Sequence, residues 1–130
     1  MVIDTSALIA ILLGEPDAEQ LARAIAADGK RLISAFTLLE TAAVIEARKG
    51  EAGGRELDLL LHHAAVEVVP LTAEHGEAAR RAWRQFGRGR HPAGLSLGDC
   101  CAYALAMHTG EPLLCKGEDF AKTDARRVGI

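Results

Sequence analysis

Met1-Val2-Ile3-Asp4-Thr5-Ser6-Ala7-Leu8-Ile9-Ala10-Ile11-Leu12-Leu13 opens the chain and is its most informative segment. A short apolar run ends in an acid, and Ser6 to Leu13 is apolar apart from its first residue. This pattern fits a buried strand running into a buried helix, with a carboxylate at the junction. Both elements lack a polar face, so each needs cover on more than one side.

Working outward, Gly14-Glu15-Pro16 stops the first helix and Pro16-Asp17 starts another, in which Leu21, Ala22, Ile25 and Ala26 recur at helical spacing. Asp28-Gly29 is a turn and Arg31 to Ser34 a second short strand. Thr37-Leu38-Leu39-Glu40 has the spacing of a capping box opening a helix to about Lys49. Glu51 to Gly54 reads as a Gly-rich break, with a further helix from Arg55 to about Ala64. Val66 to Pro70 is a β-branched strand. Thr72 caps an amphipathic helix to Phe86, and Gly87 to Gly94 is a loop of Gly and Arg. Ser96-Leu97-Gly98-Asp99 repeats the capping spacing before a helix to Gly110. Pro112 to Cys115 is a fourth strand, Lys116 to Asp124 a polar loop, and Arg127 to Ile130 a candidate last strand.

Strands alternating with helices across short connections imply an α/β domain: a short parallel sheet flanked by helices on both faces. With 130 residues and no repeat or low-complexity linker, residues 1–130 are expected to form a single domain. No stretch approaches the ~20 apolar residues of a membrane span. The first residues lack the basic region of a signal peptide, so a cytoplasmic chain is expected. Cys100, Cys101 and Cys115 form no CxxC pair. A zinc site from Cys100, Cys101 and His108 is disfavoured because adjacent helical residues point about 100° apart. His62-His63 reads as an exposed pair.

A net charge of −3 does not advertise a nucleic-acid binder, yet its distribution is uneven. From Ala78 to Gly98 there is no acid, while Arg80, Arg81, Arg84, Arg88, Arg90 and His91 fall there. Arg88 and Arg90, in the loop, are the better candidates for phosphate contacts; a solvated helix face explains the rest equally well.

Open α/β sheets bind ligands at the carboxyl ends of their strands. Asp4, Glu40, Asp99 and Asp119 all fall at or beyond such ends. Each has a plain structural role available: Asp4 as a helix cap, Glu40 and Asp99 as partners in capping boxes, Asp119 as a loop acid. Gathered at one buried edge they would raise one another's pKa unless a cation intervened. A hard divalent ion resolves that conflict, and Mg²⁺ suits oxygen ligands around a phosphate. The expected reaction is phosphodiester hydrolysis by activated water. GxGxxG, GxxxxGK[ST] and GxSxG motifs are missing, which removes dinucleotide, nucleotide-triphosphate and nucleophile-elbow readings. A phosphoacceptor receiver would end its third strand in Asp, where this chain has Val69-Pro70.

The residues around these acids resemble the PIN-domain family, specifically the VapC toxins of VapBC toxin–antitoxin pairs. The matching words are Val2-Ile3-Asp4-Thr5-Ser6-Ala7-Leu8, Thr37-Leu38-Leu39-Glu40, Leu95-Ser96-Leu97-Gly98-Asp99-Cys100 and Lys116-Gly117-Glu118-Asp119-Phe120. The resemblance implies a PIN fold and a Mg²⁺- or Mn²⁺-dependent endoribonuclease. It also implies a VapB-type antitoxin partner, a homodimer, and an RNA substrate such as tRNA or a ribosomal RNA loop. By resemblance Asp4 and Asp99 lead the metal ligands, with Glu40 and Asp119 completing the ring and Asp124 the alternative to Asp119. Ser6 would orient a ligand carboxylate or simply cap its helix, and Thr5 would contribute backbone geometry. Leu59, Leu60 and Leu61 are candidates for an antitoxin groove. An RNA-processing nuclease without a toxin role, or a non-catalytic binding module, are the competing readings.

Overall fold

The computed structural model describes residues 1–130. Strand β1 (Val2–Ile3) passes at Asp4 into helix α1 (Thr5–Leu12). Helix α2 (Ala18–Ala27), strand β2 (Leu32–Ser34), helix α3 (Ala35–His63) and strand β3 (Glu67–Val69) follow. Helices α4 (Ala73–Phe86) and α5 (Leu97–Thr109), strand β4 (Leu113–Leu114) and a 3₁₀ turn at Phe120–Lys122 complete the chain. The four strands pair in parallel in the order β3-β2-β1-β4. No helix is long and apolar enough to cross a membrane.

Strand alternation divides the interior into two cores. Val2, Leu32 and Leu113, aligned in register, face α4 and α5 and join Ala82, Phe86, Leu95, Ala102 and Leu105. Ile3, Ile33 and Leu114 face the other way, onto Leu8, Leu21 and Ile25. Every one of these side chains is at least nine-tenths buried, which is why the central strands carry no polar residue before their ends.

Three local readings of the sequence are corrected. Helix α3 begins at Ala35, with the Ser34 side chain accepting from the Phe36 N–H, so Thr37 caps nothing. Thr37 is instead fully buried, and Glu40 stands in the second turn, released from any capping duty. The break in α3 falls at Gly50 (φ 65°, ψ −161°), ahead of the Glu51–Gly54 segment. Gly53 then packs so closely that a Cβ there would lie 2.8 Å from the Ile45 carbonyl. The tail adds one bridge, Leu113 to Arg127, and no full strand.

Candidate functional site

Parallel pairing places all strand ends on one edge, and the acids gather there. Asp4 leaves β1 as the N-cap of α1, and Ile3 pairs with Leu114, which brings the segment after β4 alongside. Ser34 ends β2 and sets the start of α3, which carries Glu40 back to the same edge. The first turn of α5 contributes Asp99. Asp4, Glu40 and Asp99 line one open cleft of about 440 Å³, together with Thr5, Ser6, Glu15 and Lys116.

Each of the three carboxylates is held by one oxygen and free at the other. Asp4 Oδ2 accepts from the Ser6 N–H at 3.1 Å and the Ser6 hydroxyl at 2.7 Å. Glu40 Oε1 accepts from the Thr5 hydroxyl at 2.6 Å, and Thr41 donates onward to Thr5 Oγ1 at 3.3 Å. Asp99 Oδ2 accepts from the Ser96 N–H at 2.9 Å, while the Asp99 N–H donates to Ser96 Oγ at 3.1 Å, a complete capping box. Asp4 Oδ1, Glu40 Oε2 and Asp99 Oδ1 take no hydrogen bond within the chain. In this arrangement no three His, Cys, Asp or Glu side chains stand together as a ready metal-ion site.

The electrostatics follow from this arrangement. Asp4 is 3% exposed. Burial, with the charges of Asp99 and Glu40, raises its carboxyl from 3.8 to about 6 against the opposing Ser6 bonds. No ion pair of the molecule involves Asp4, Glu40 or Asp99; the one cation lining the cleft, Lys116, is paired with Glu15 and Asp17. Four orienting bonds leave three carboxylate oxygens free and without an ion-pair partner, the type of oxygen donor that a hard divalent cation takes.

Gly98 makes the approach of Glu40 to α5 sterically allowed. A Cβ at this position would lie 2.3 Å from both Glu40 carboxylate oxygens.

The other expected residues lie apart from the cleft. Asp119 is exposed at the start of the 3₁₀ turn, has helical φ/ψ and makes no side-chain cap, while Phe120 beside it packs into the α4–α5 core. Asp124 accepts from the Tyr103 hydroxyl at 2.5 Å, a tie between the tail and α5. Arg88 and Arg90 stand exposed in the α4–α5 loop, with the Arg90 guanidinium 4.3 Å above the Trp83 ring. Burial pushes the Cys100 thiol to about 11, with the Asp99 charge adding to it, while His108 packs against His75. Thr41, Gly98 and Lys116 carry site geometry that the sequence reading did not assign, and Thr5, expected to contribute backbone geometry, acts through its hydroxyl on Glu40. For Thr5, adjacency to Asp4 was the available signal.

The α/β fold with its acids gathered at the strand ends matches the PIN-domain family model over residues 1–126. Ribonuclease VapC30 of Mycobacterium tuberculosis is 58% identical over 130 residues, covering 100% of this chain and 99% of that protein. Ribonuclease VapC of Mycolicibacterium smegmatis is 59% identical over 128 residues, covering 98% and 99%. The chain belongs to the PIN-domain family, among its VapC ribonucleases. In fold it is similar to Mycobacterium tuberculosis VapC20, described as a sarcin-ricin loop cleaving toxin, with a TM-score of 0.80 at 19% identity and coverage of 98% and 97%. A toxin–antitoxin complex from Klebsiella pneumoniae matches with a TM-score of 0.72 at 19% identity, covering 98% and 95%.

Proposed function

We propose that the chain is a Mg²⁺- or Mn²⁺-dependent endoribonuclease acting in the cytoplasm as the toxin of a VapBC-type pair, with residues 1–130 forming one PIN domain. The observation that carries this reading is the set of three carboxylates, each anchored at one oxygen and free at the other. Asp4, Glu40 and Asp99 would hold the cation. When bound, it supplies water activation at neutral pH and stabilises charge developing on the phosphate. Ser6, Thr5 and Ser96 fix the rotamers of the three acids before any ligand arrives, which is the preorganisation that such sites require. Asp119 is assigned no ligand role in this reading, since it does not line the cleft.

RNA is the substrate proposed, a tRNA or ribosomal RNA loop, with Arg88 and Arg90 gripping backbone phosphates beyond the cleft. A VapB-type antitoxin is the proposed partner. Of the three leucines expected at an antitoxin groove, Leu59 is 56% exposed while Leu60 and Leu61 pack partly buried against the core, so Leu59 is the proposed contact for an apolar antitoxin segment. A homodimer is proposed across an apolar groove lined by Phe36, Leu71, Trp83 and Leu97. Leu97, which lines it, is 64% exposed and lies two residues before the site acid Asp99; Leu39, likewise 64% exposed, precedes the site acid Glu40.

The test is incubation of the purified protein with total bacterial RNA and Mg²⁺ or Mn²⁺, followed by sequencing of new 5′ ends. Discrete cuts that vanish with a chelator and in Asp4→Asn are expected. Cutting that survives both treatments would refute the carboxylate mechanism.

A further inference from the structure

Of the charged side chains lining the cleft, Asp4, Glu15, Glu40 and Asp99 are acids and Lys116 is the lone cation. An RNA phosphodiester entering this cleft therefore meets four carboxylates and one ammonium. Two features make Lys116 suited to receive it. Its backbone is fixed to the site: the Lys116 N–H donates to Ser6 Oγ at 2.9 Å, and Ser6 in turn donates to Asp4 Oδ2. Its side chain, by contrast, is 40% exposed and is held only at its tip, by Glu15 at 2.6 Å and Asp17 at 3.2 Å. Both partners lie on the α1–α2 turn and are 32% exposed. Exposed ion pairs of this kind are weak and exchange readily.

We infer that Lys116 is the phosphate-contacting residue of the cleft, its ammonium leaving Glu15 and Asp17 for a phosphate oxygen when RNA binds. The inference rests on the nuclease reading above and adds to it a residue outside the carboxylate set. Anchored through Ser6, the Lys116 Cα is held in register with Asp4, so an extended side chain delivers its charge at a defined distance from the acids. Glu15 and Asp17 then act as a parking place, neutralising the ammonium in the free protein and competing with substrate for it. Arg88 and Arg90 do not substitute for it, since neither lines the cleft. The rival account makes the Lys116–Glu15 pair a staple that holds the α1–α2 turn to the end of β4.

The two accounts predict opposite signs. With an oligoribonucleotide spanning a cut site mapped in total RNA, Lys116→Gln should raise KM about tenfold and flatten the salt dependence of log(1/KM) by about 0.7, the share of one phosphate contact on a single strand. Glu15→Gln should lower KM several-fold by releasing the ammonium, and by a smaller factor when Lys116→Gln is also present. Lys116→Arg should keep both KM and slope near wild type, which covers the case in which Lys116→Gln folds poorly. An unchanged salt slope in Lys116→Gln, or a rise in KM from Glu15→Gln, would overturn the inference in favour of a staple. Failure of the wild-type protein to cut any RNA with a divalent cation is a separate result, which removes the nuclease reading itself.

Discussion

The Thr5 hydroxyl donates to Glu40 Oε1 at 2.6 Å, tying the first residue of α1 to the second turn of α3. Thr5 follows the site acid Asp4 in sequence, so one dipeptide sets two of the three carboxylates. A hydrogen bond to a charged group contributes about 1.5–3 kcal/mol. Thr5→Val preserves shape and removes that bond, so kcat/KM for RNA cleavage should fall about 10–100-fold. Thr5→Ser should retain most of the activity. Equal loss in both variants would point to the methyl group and argue against the hydroxyl.

The raised carboxyl of Asp4 has a consequence for stability without metal. Between pH 3.8 and about 6 the folded chain keeps a proton that the unfolded chain has released. Stability of the chelated protein therefore falls as pH rises through that window, by about 3 kcal/mol at most from this group. Asp28 acts in the opposite sense, since bonds from the Lys30 N–H and the amino terminus lower its carboxyl. Comparison with Asp4→Asn cancels that contribution. Denaturant melts across pH 4–8 should leave Asp4→Asn more stable than wild type at pH 8 and comparable at pH 4, with the difference erased when Mn²⁺ is added to wild type. A pH-independent difference would place the origin outside this carboxyl.

The sheet was legible because its central strands are short and apolar up to their last residue, and each ends at a polar or turn-forming residue. What escaped was anything set by three-dimensional competition among local signals. Thr37 and Glu40 have capping-box spacing, but Ser34 is already at the strand end and captures the cap, leaving Thr37 in the core. Gly50, Gly53 and Gly54 all signal a break; only the positive φ at Gly50 identifies which one bends the chain. The motif alone ranks Asp119 ahead of Asp124; what separates the two in the fold is the anchoring of the segment by Phe120 and Tyr103. The bond from Thr5 to Glu40 spans 35 residues, a separation that no spacing rule encodes.

The Tyr103–Asp124 bond separates a structural acid from the cleft acids. Tyr103 is mostly buried in α5, and burial followed by its bond to Asp124 raises the phenol above its ordinary range. Tyr103→Phe removes the hydroxyl and leaves Asp124 accessible to water, so a loss of about 1–2 kcal/mol in denaturant melts is expected. Cleavage by the folded variant should stay within about twofold of wild type, as should cleavage by Asp124→Asn, because neither change touches an orienting bond at the cleft. A tenfold loss of activity with stability intact would instead make Asp124 part of the site.

Gly98 offers the sharpest division between stability and activity. It occupies the first turn of α5, where its φ is compatible with any residue, so backbone freedom is not what requires glycine. Replacement by alanine in a helix favours folding by up to about 1 kcal/mol. Opposing this, the new methyl would stand 2.3 Å from both Glu40 oxygens, well inside contact distance. Glu40 is partly exposed and its side chain is flexible, so it yields by rotating away from Thr5 and from the cleft. The expected outcome for Gly98→Ala is a melting temperature within a few degrees of wild type and kcat/KM at least tenfold lower, with weaker stabilisation by Mn²⁺. Gly98→Ala combined with Glu40→Gln should lose no more activity than Glu40→Gln alone, since both changes act on the same carboxylate. An additive loss in the double variant would mean that Gly98 serves the site through something other than Glu40.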